Sequence, residues 1–163
     1  MERTSRTAGS TPGAKVRGAL VGAALVASLV ALAAAPAGAA GGSGTGELKA
    51  LGGGVAVLYG QFDHGTIRGD GVFIVVDPEH DLQVDVEHYT DKVVRGAVTW
   101  YLGWSGAVHL GHGGAIVGAV SDHLGLDVTG HGGFRLEGRG YWDSIPGGAG
   151  VWGTHRFPAV GSL

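Results

Sequence analysis

The chain of 163 residues contains no cysteine and no asparagine, a single methionine and five prolines, and only 15% of it is charged and 7% aromatic. Each shortage removes a class of behaviour. Without cysteine there is no disulfide, no thiol nucleophile, no thiolate metal ligand and no lipidated N-terminal cysteine. Without asparagine, N-glycosylation is excluded. The 34 glycines are neither every third residue nor matched by proline, so a collagen helix is out. A charged fraction this low does not make a solvated polyelectrolyte, and β-branched and apolar residues interleaved with the glycine argue against disorder. Neither a dinucleotide fingerprint before a helix nor a phosphate-binding P-loop occurs, so nucleotide binding has no support. At about 100–200 residues per domain the length allows one domain.

What is present begins with an address. Arg3, Arg6, Lys15 and Arg17 stand against one acid, Glu2, before an uncharged apolar run from Gly18 to Ala35 and the small-residue triplet Ala37-Gly38-Ala39. Basic head, apolar run and small residues at −3 and −1 are the signature of a secretory signal peptide over residues 1–39, cleaved before Ala40. Left uncleaved, residues 18–35 reach the lower length limit for a membrane anchor, with the basic residues cytoplasmic. Arg3 and Arg6 are not adjacent, so a twin-arginine route has no support. The expected location is secreted or in the extracytoplasmic cell envelope, with membrane attachment only through the N-terminal segment.

Removing residues 1–39 leaves seven basic against 13 acidic residues, a net charge of −6. That sign argues against nucleic acid and anionic membranes as partners. All eight histidines lie in this part, and protonating every one would turn −6 into +2. Histidine titrates near neutrality, so self-association is expected to change between about pH 7.5 and 5.5. An unchanged sedimentation coefficient across that range would dismiss the idea.

Ala40–Gly46 reads as a flexible linker. From Glu47 the pattern has period 2: Leu82, Val84 and Val86 alternate with polar residues, as do Leu124, Leu126 and Val128, and Val72–Val76 is a continuous apolar run. No stretch keeps a helical period, and glycine costs a helix interior about 1 kcal/mol relative to alanine. Turn signals recur at 52–54, 64–65, 69–71, 77–78, 103–106, 111–114, 130–133, 138–140 and 146–148. The expected fold is all-β over residues 47–158, a Gly-rich, short-stranded antiparallel sandwich or small barrel of about nine to eleven strands. Residues 159–163 read as a tail, and the N-terminal apolar segment as a signal or anchor helix. A β-solenoid is the alternative, although the spacing of its glycine signals is irregular.

Several groups of residues invite a chemical reading. His109-x-x-His112 with His123 and His131 is the grouping that suggests zinc or copper, provided the imidazoles converge from separate strands. Asp77-x-Glu79-x-Asp81 has alternate oxygen ligands, but Leu82 and His88 stand where a calcium loop needs Gly and Glu. Neighbouring acid and histidine residues such as Asp122-His123 project oppositely on a strand, so they are not dyads by default. Ser105 lacks the second glycine of a nucleophile elbow and its helix. Trp100, Tyr101 and Trp104 form an aromatic cluster that either plugs the β core or, near a turn, offers an interaction surface. The reading that follows is an exported, non-enzymatic β module acting by binding or assembly, without a cofactor, on an envelope or extracellular partner or on itself. The alternatives are a histidine-based metal-binding protein and a carboxylate-based hydrolase, the latter needing two carboxylates about 5–10 Å apart in a concave pocket.

Overall fold

The computed structural model describes residues 45–163, so the signal or anchor reading of residues 1–39 lies outside the described residues. Seven strands follow in order: β1 (Gly46–Val76), β2 (Val84–His88), β3 (Asp91–Arg95), β4 (Val98–Leu110), β5 (Gly113–Ile145), β6 (Gly148–Val151) and β7 (Ala159–Ser162). They form one sheet in the order β2-β4-β1-β5-β6, with β3 beside β4 and β7 beside β5, and the sheet does not close into a barrel. Among the described residues there is no helix. Among the described residues every ladder is antiparallel and the one parallel contact is an isolated bridge between Glu137 and Gly153. A solenoid stacks its coils in parallel, so it is not what these residues build. The expected tail at 159–163 is part of the sheet: it contains β7, and Leu163 is buried and donates its N–H to the Gly132 carbonyl at 3.0 Å.

Strands β1 and β5 are 31 and 33 residues long and pair with each other along three ladders. Gly130 lies opposite Gly46 on one side and opposite Phe62 on the other. Two residues sixteen apart on β1 can flank one residue of β5 only if β1 curls, because a straight strand advances about 3.3 Å per residue. The same holds along the ladder: Leu126 sits between Ala50 and Ile67, and Val117 between Leu58 and Val75. Two coiled strands therefore do the work of four, which is why seven strands appear where nine to eleven were expected.

The coiling corrects the expected turns. Asp77-Pro78, Gly111–Gly114 and Pro146–Gly148 do mark strand ends, but glycines 52–54, 69–71, 130–133 and 138–140 lie inside β1 and β5. Their task is close approach. Gly54 is paired with Gly138, and Gly60 with Gly132. Gly54 has φ +140° and Gly60 φ +130°. A Cβ on Gly54 would run into the Glu137 carbonyl oxygen, and one on Gly138 into that of Gly53. Glycine is the residue that tolerates both conditions.

Alternate residues face inward. Leu48, Leu58 and Phe62 of β1 meet Val117, Leu126 and Phe134 of β5 and Val108 of β4 in one buried cluster. Phe73 stands between Tyr101 and Trp104, with ring centroids 6.0 and 5.7 Å away. The alternation on β5 slips between Ala119 and Leu124, both buried, where the β1–β5 register also shifts. Buried Ser121 stitches this bulge. Its hydroxyl donates to the Asp70 carboxylate at 2.8 Å and accepts from the Asp70 and His123 N–H groups at 3.1 and 3.0 Å.

Candidate functional site

The outward face of the sheet divides into two halves of opposite chemistry. On one half, cross-strand rows carry charge. Asp143, Lys49, Asp127, Thr66 and His109 follow one another across β5, β1, β5, β1 and β4, and the next row reads Tyr141, Leu51, Gly125, Arg68. Each residue is there because the strand alternation that sends Leu48, Ala50, Leu126 and Ile67 inward sends its neighbour out. These rows border an open groove of about 1220 Å³. Its floor is largely backbone, because Gly52, Gly53, Gly54, Gly69, Gly125, Gly138 and Gly140 line it and carry no side chain. Around that floor stand Lys49, Arg68 and Arg139, Asp122, Asp127 and Asp143, His123, Leu51 and Tyr141.

Lys49 organises the electrostatics. Its ammonium is in contact with the Glu47 carboxylate, two residues away on the same face. The Glu47 hydrogen bond and charge, followed by Asp127 and Asp143, hold its pKa above the ordinary 10.5, so it is a cation at every physiological pH. Asp127 and Asp143 lie on its two flanks, two strands apart, hence about 10 Å between Cα atoms at strand spacings of 4.7–4.9 Å. A pair of carboxylates at a cleft is also what a glycoside hydrolase uses. The surroundings differ from such a site, however: both carboxylates are exposed and share a lysine, whereas a general acid is kept in an apolar pocket.

The other half of the outward face is apolar. Val55, Val57 and Tyr59 on β1, Ile116, Gly118 and Val120 on β5, Val72, Ile74 and Val76 on β1, and Val98, Trp100 and Leu102 on β4 form three parallel rows. Val57 and Ile74 are buried, and the remaining side chains are half-buried. Charged residues border the block: Arg135 and Glu137 on β5, Asp91 and Arg95 on β3. Glu137 accepts from Arg135 Nε at 2.6 Å and pairs with His155 Nδ1 at 2.8 Å, which ties the loop after β6 to the sheet.

The residues singled out from the sequence are scattered. His109 lies on β4 with Nδ1 3.4 Å from the Thr66 hydroxyl, and His112 sits between β4 and β5 beside Gln61 and Asp63. His131 is across β1 from Gln61, and His123 borders the groove. Among the described residues no three histidine or carboxylate side chains converge so as to hold a metal ion. Asp77 of the acidic stretch has both oxygens engaged by main-chain N–H groups, from His80 at 2.6 Å and Leu82 at 3.1 Å, and so shapes a turn. Trp104 and Tyr101 belong to the core and Trp100 to the apolar outer block, so the three do not form one surface. The groove residues Lys49, Leu51, Arg68, Asp127, Tyr141 and Asp143 were not anticipated. Their outward phase is readable from the period-2 pattern, but their adjacency depends on partners up to about ninety positions away. No protein-family model, curated protein or solved structure matches this chain.

Proposed function

We propose that the chain is an exported, non-enzymatic module that acts by binding, with the glycine-floored groove as its binding face. In this reading the coiled sheet doubles over as a two-layer sandwich. The groove carries the proposal: it is open, and it gathers charged, aromatic and apolar side chains from β1 and β5. Nuclear magnetic resonance titration of the full chain against an oligosaccharide, a peptide and a polyanion tests it. Shifts at the amides of Leu51, Gly125 and Tyr141 with one of these classes are expected, and their absence with all three would overturn it. For export, protein recovered from the medium of a secreting host is expected to begin at Ala40, and retention of residues 1–39 in a membrane fraction would favour the anchor.

Assembly has its own observation, the apolar block with charged borders. Trp100→Glu is expected to lower the sedimentation coefficient at concentrations where the parent chain self-associates. A parent chain that stays monomeric at high concentration rules out this second role.

A further inference from the structure

Given the binding role proposed above, on which this step rests, we infer that the groove takes a neutral oligosaccharide. Charge is the first argument. Lys49, Arg68 and Arg139 stand among Asp122, Asp127 and Asp143, with Glu47 beside Lys49, so the groove presents both signs rather than a field of one. A polyanion would leave three carboxylates facing like charge, and a polycation would do the same to three cations. A hydroxyl both donates and accepts, and Lys49 between Asp127 and Asp143 presents donor and acceptor side by side, the arrangement that vicinal hydroxyls satisfy.

The second argument is the apolar row. Val151, Tyr141 and Leu51 lie directly opposite one another on three neighbouring strands, and the Tyr141 side chain is 61% exposed and that of Leu51 53%. Next in the row is Gly125, which has no side chain and lies under the edge of Leu51, then Arg68. An exposed ring beside an exposed aliphatic side chain, flanked by polar groups, suits a pyranose, which has an apolar C–H face and a rim of hydroxyls. From Val151 to Arg68 the row crosses four strand spacings, about 19 Å, which calls for a short chain of sugars rather than one.

The third argument disfavours a peptide. An extended peptide gains most from adding a strand to a free sheet edge. At the groove the segments of β1 and β5 are bonded on both edges, so recognition there must come from side chains.

The probes are cellohexaose, chitohexaose and maltohexaose, titrated into the full chain by calorimetry and nuclear magnetic resonance. Hexaglycine and a heparin hexasaccharide serve as the peptide and the polyanion. Two variants accompany the parent. Tyr141→Ala removes the exposed ring. Gly125→Leu covers the bare backbone between Leu51 and Arg68, and its Cβ meets nothing closer than Leu51 Cδ2 at 3.4 Å, an ordinary contact. Expected is binding of at least one neutral hexasaccharide, an affinity that changes less than about twofold from low to high salt, and a loss of at least about tenfold in each variant with the melting temperature unchanged. Groove shifts with hexaglycine or the heparin fragment alone would overturn the sugar inference while leaving the binding role standing. No shift with any probe would overturn both. Turnover of a bound hexasaccharide would replace binding with the carboxylate-based hydrolase.

Discussion

Replacing Gly54 by alanine isolates the reason for so much glycine within the strands. Two costs add there. A non-glycine residue held at φ +140° is strained by about 1–3 kcal/mol. Its Cβ would also press on the Glu137 carbonyl oxygen and come within 2.9 Å of Gly138 Cα, so the β1–β5 ladder has to open. Losing one ladder hydrogen bond adds about 1 kcal/mol, for a total of about 3 kcal/mol. Two controls separate these contributions. Gly96 has φ +57° but nothing within 4 Å of its Cβ, so Gly96→Ala bears backbone strain alone, about 1 kcal/mol. Gly125 has neither a left-handed φ nor a close neighbour, and Gly125→Ala is expected to stabilise by about 0.5 kcal/mol through a less flexible unfolded chain. Urea denaturation should rank the midpoints Gly125→Ala, parent, Gly96→Ala, Gly54→Ala, with melting temperatures moving roughly 3–6 °C per kcal/mol. Gly138→Ala intrudes on the same gap, so the double variant with Gly54→Ala should cost less than the sum of the singles. If Gly54→Ala lies above Gly96→Ala in stability, the close-approach argument is wrong.

Three further outcomes follow from packing and charge. Phe73→Ala empties the site between Tyr101 and Trp104 and should cost about 3–5 kcal/mol in equilibrium unfolding. Glu137→Ala leaves the Arg135 guanidinium, 27% exposed, without its carboxylate and should cost about 2 kcal/mol, whereas His155→Ala, at 86% exposure, should change stability by less than about 0.5 kcal/mol; equal effects would refute that ordering. Lys49 has a raised pKa in the folded chain, so its stabilising contribution is complete below pH 10.5 and is lost as pH rises through the higher folded value. The gap between parent and Lys49→Gln should therefore stay constant from neutral pH to about 9 and close in stronger alkali; a gap that closes near pH 7 would mean another group is responsible.

Strand chemistry was legible in the sequence because inward and outward residues alternate locally: Leu124, Leu126 and Val128 needed no partner to be assigned. The strand ends at Asp77-Pro78 and Pro146–Gly148 were legible for the same reason, since proline and glycine act on their own backbone. Glycine inside a coiled strand looks the same as glycine in a turn. Only Gly138, far along the chain, says that Gly54 is a contact point. The groove was missed on similar grounds, because Lys49, Arg68, Asp127 and Asp143 are isolated charges in sequence and become neighbours across three ladders. Local spacing is rich instead at Asp77, Glu79 and Asp81, where Asp77 binds its own main chain. The aromatic cluster was visible as a cluster, but its division between Trp104 in the core and Trp100 outside follows from the irregular β1–β4 register at Gly71 and Val72.

The repeated pairing of β1 with β5 also sets a timetable. Glu47 has its partners at Thr129 and Ile145, and Phe62 at Gly113 and Gly130. During synthesis β1 is therefore made long before anything exists for most of it to pair with, and local contacts cannot hold it in place. Folds dominated by such distant contacts form slowly. The segment Gly46–Phe62 should accordingly gain its partners only once β5 has been made. A fragment ending at Thr129 keeps the ladders of β1 with β4 and with the first arm of β5 but loses the one with residues 130–145, so its amides between Gly46 and Phe62 are expected to exchange faster than in the full chain.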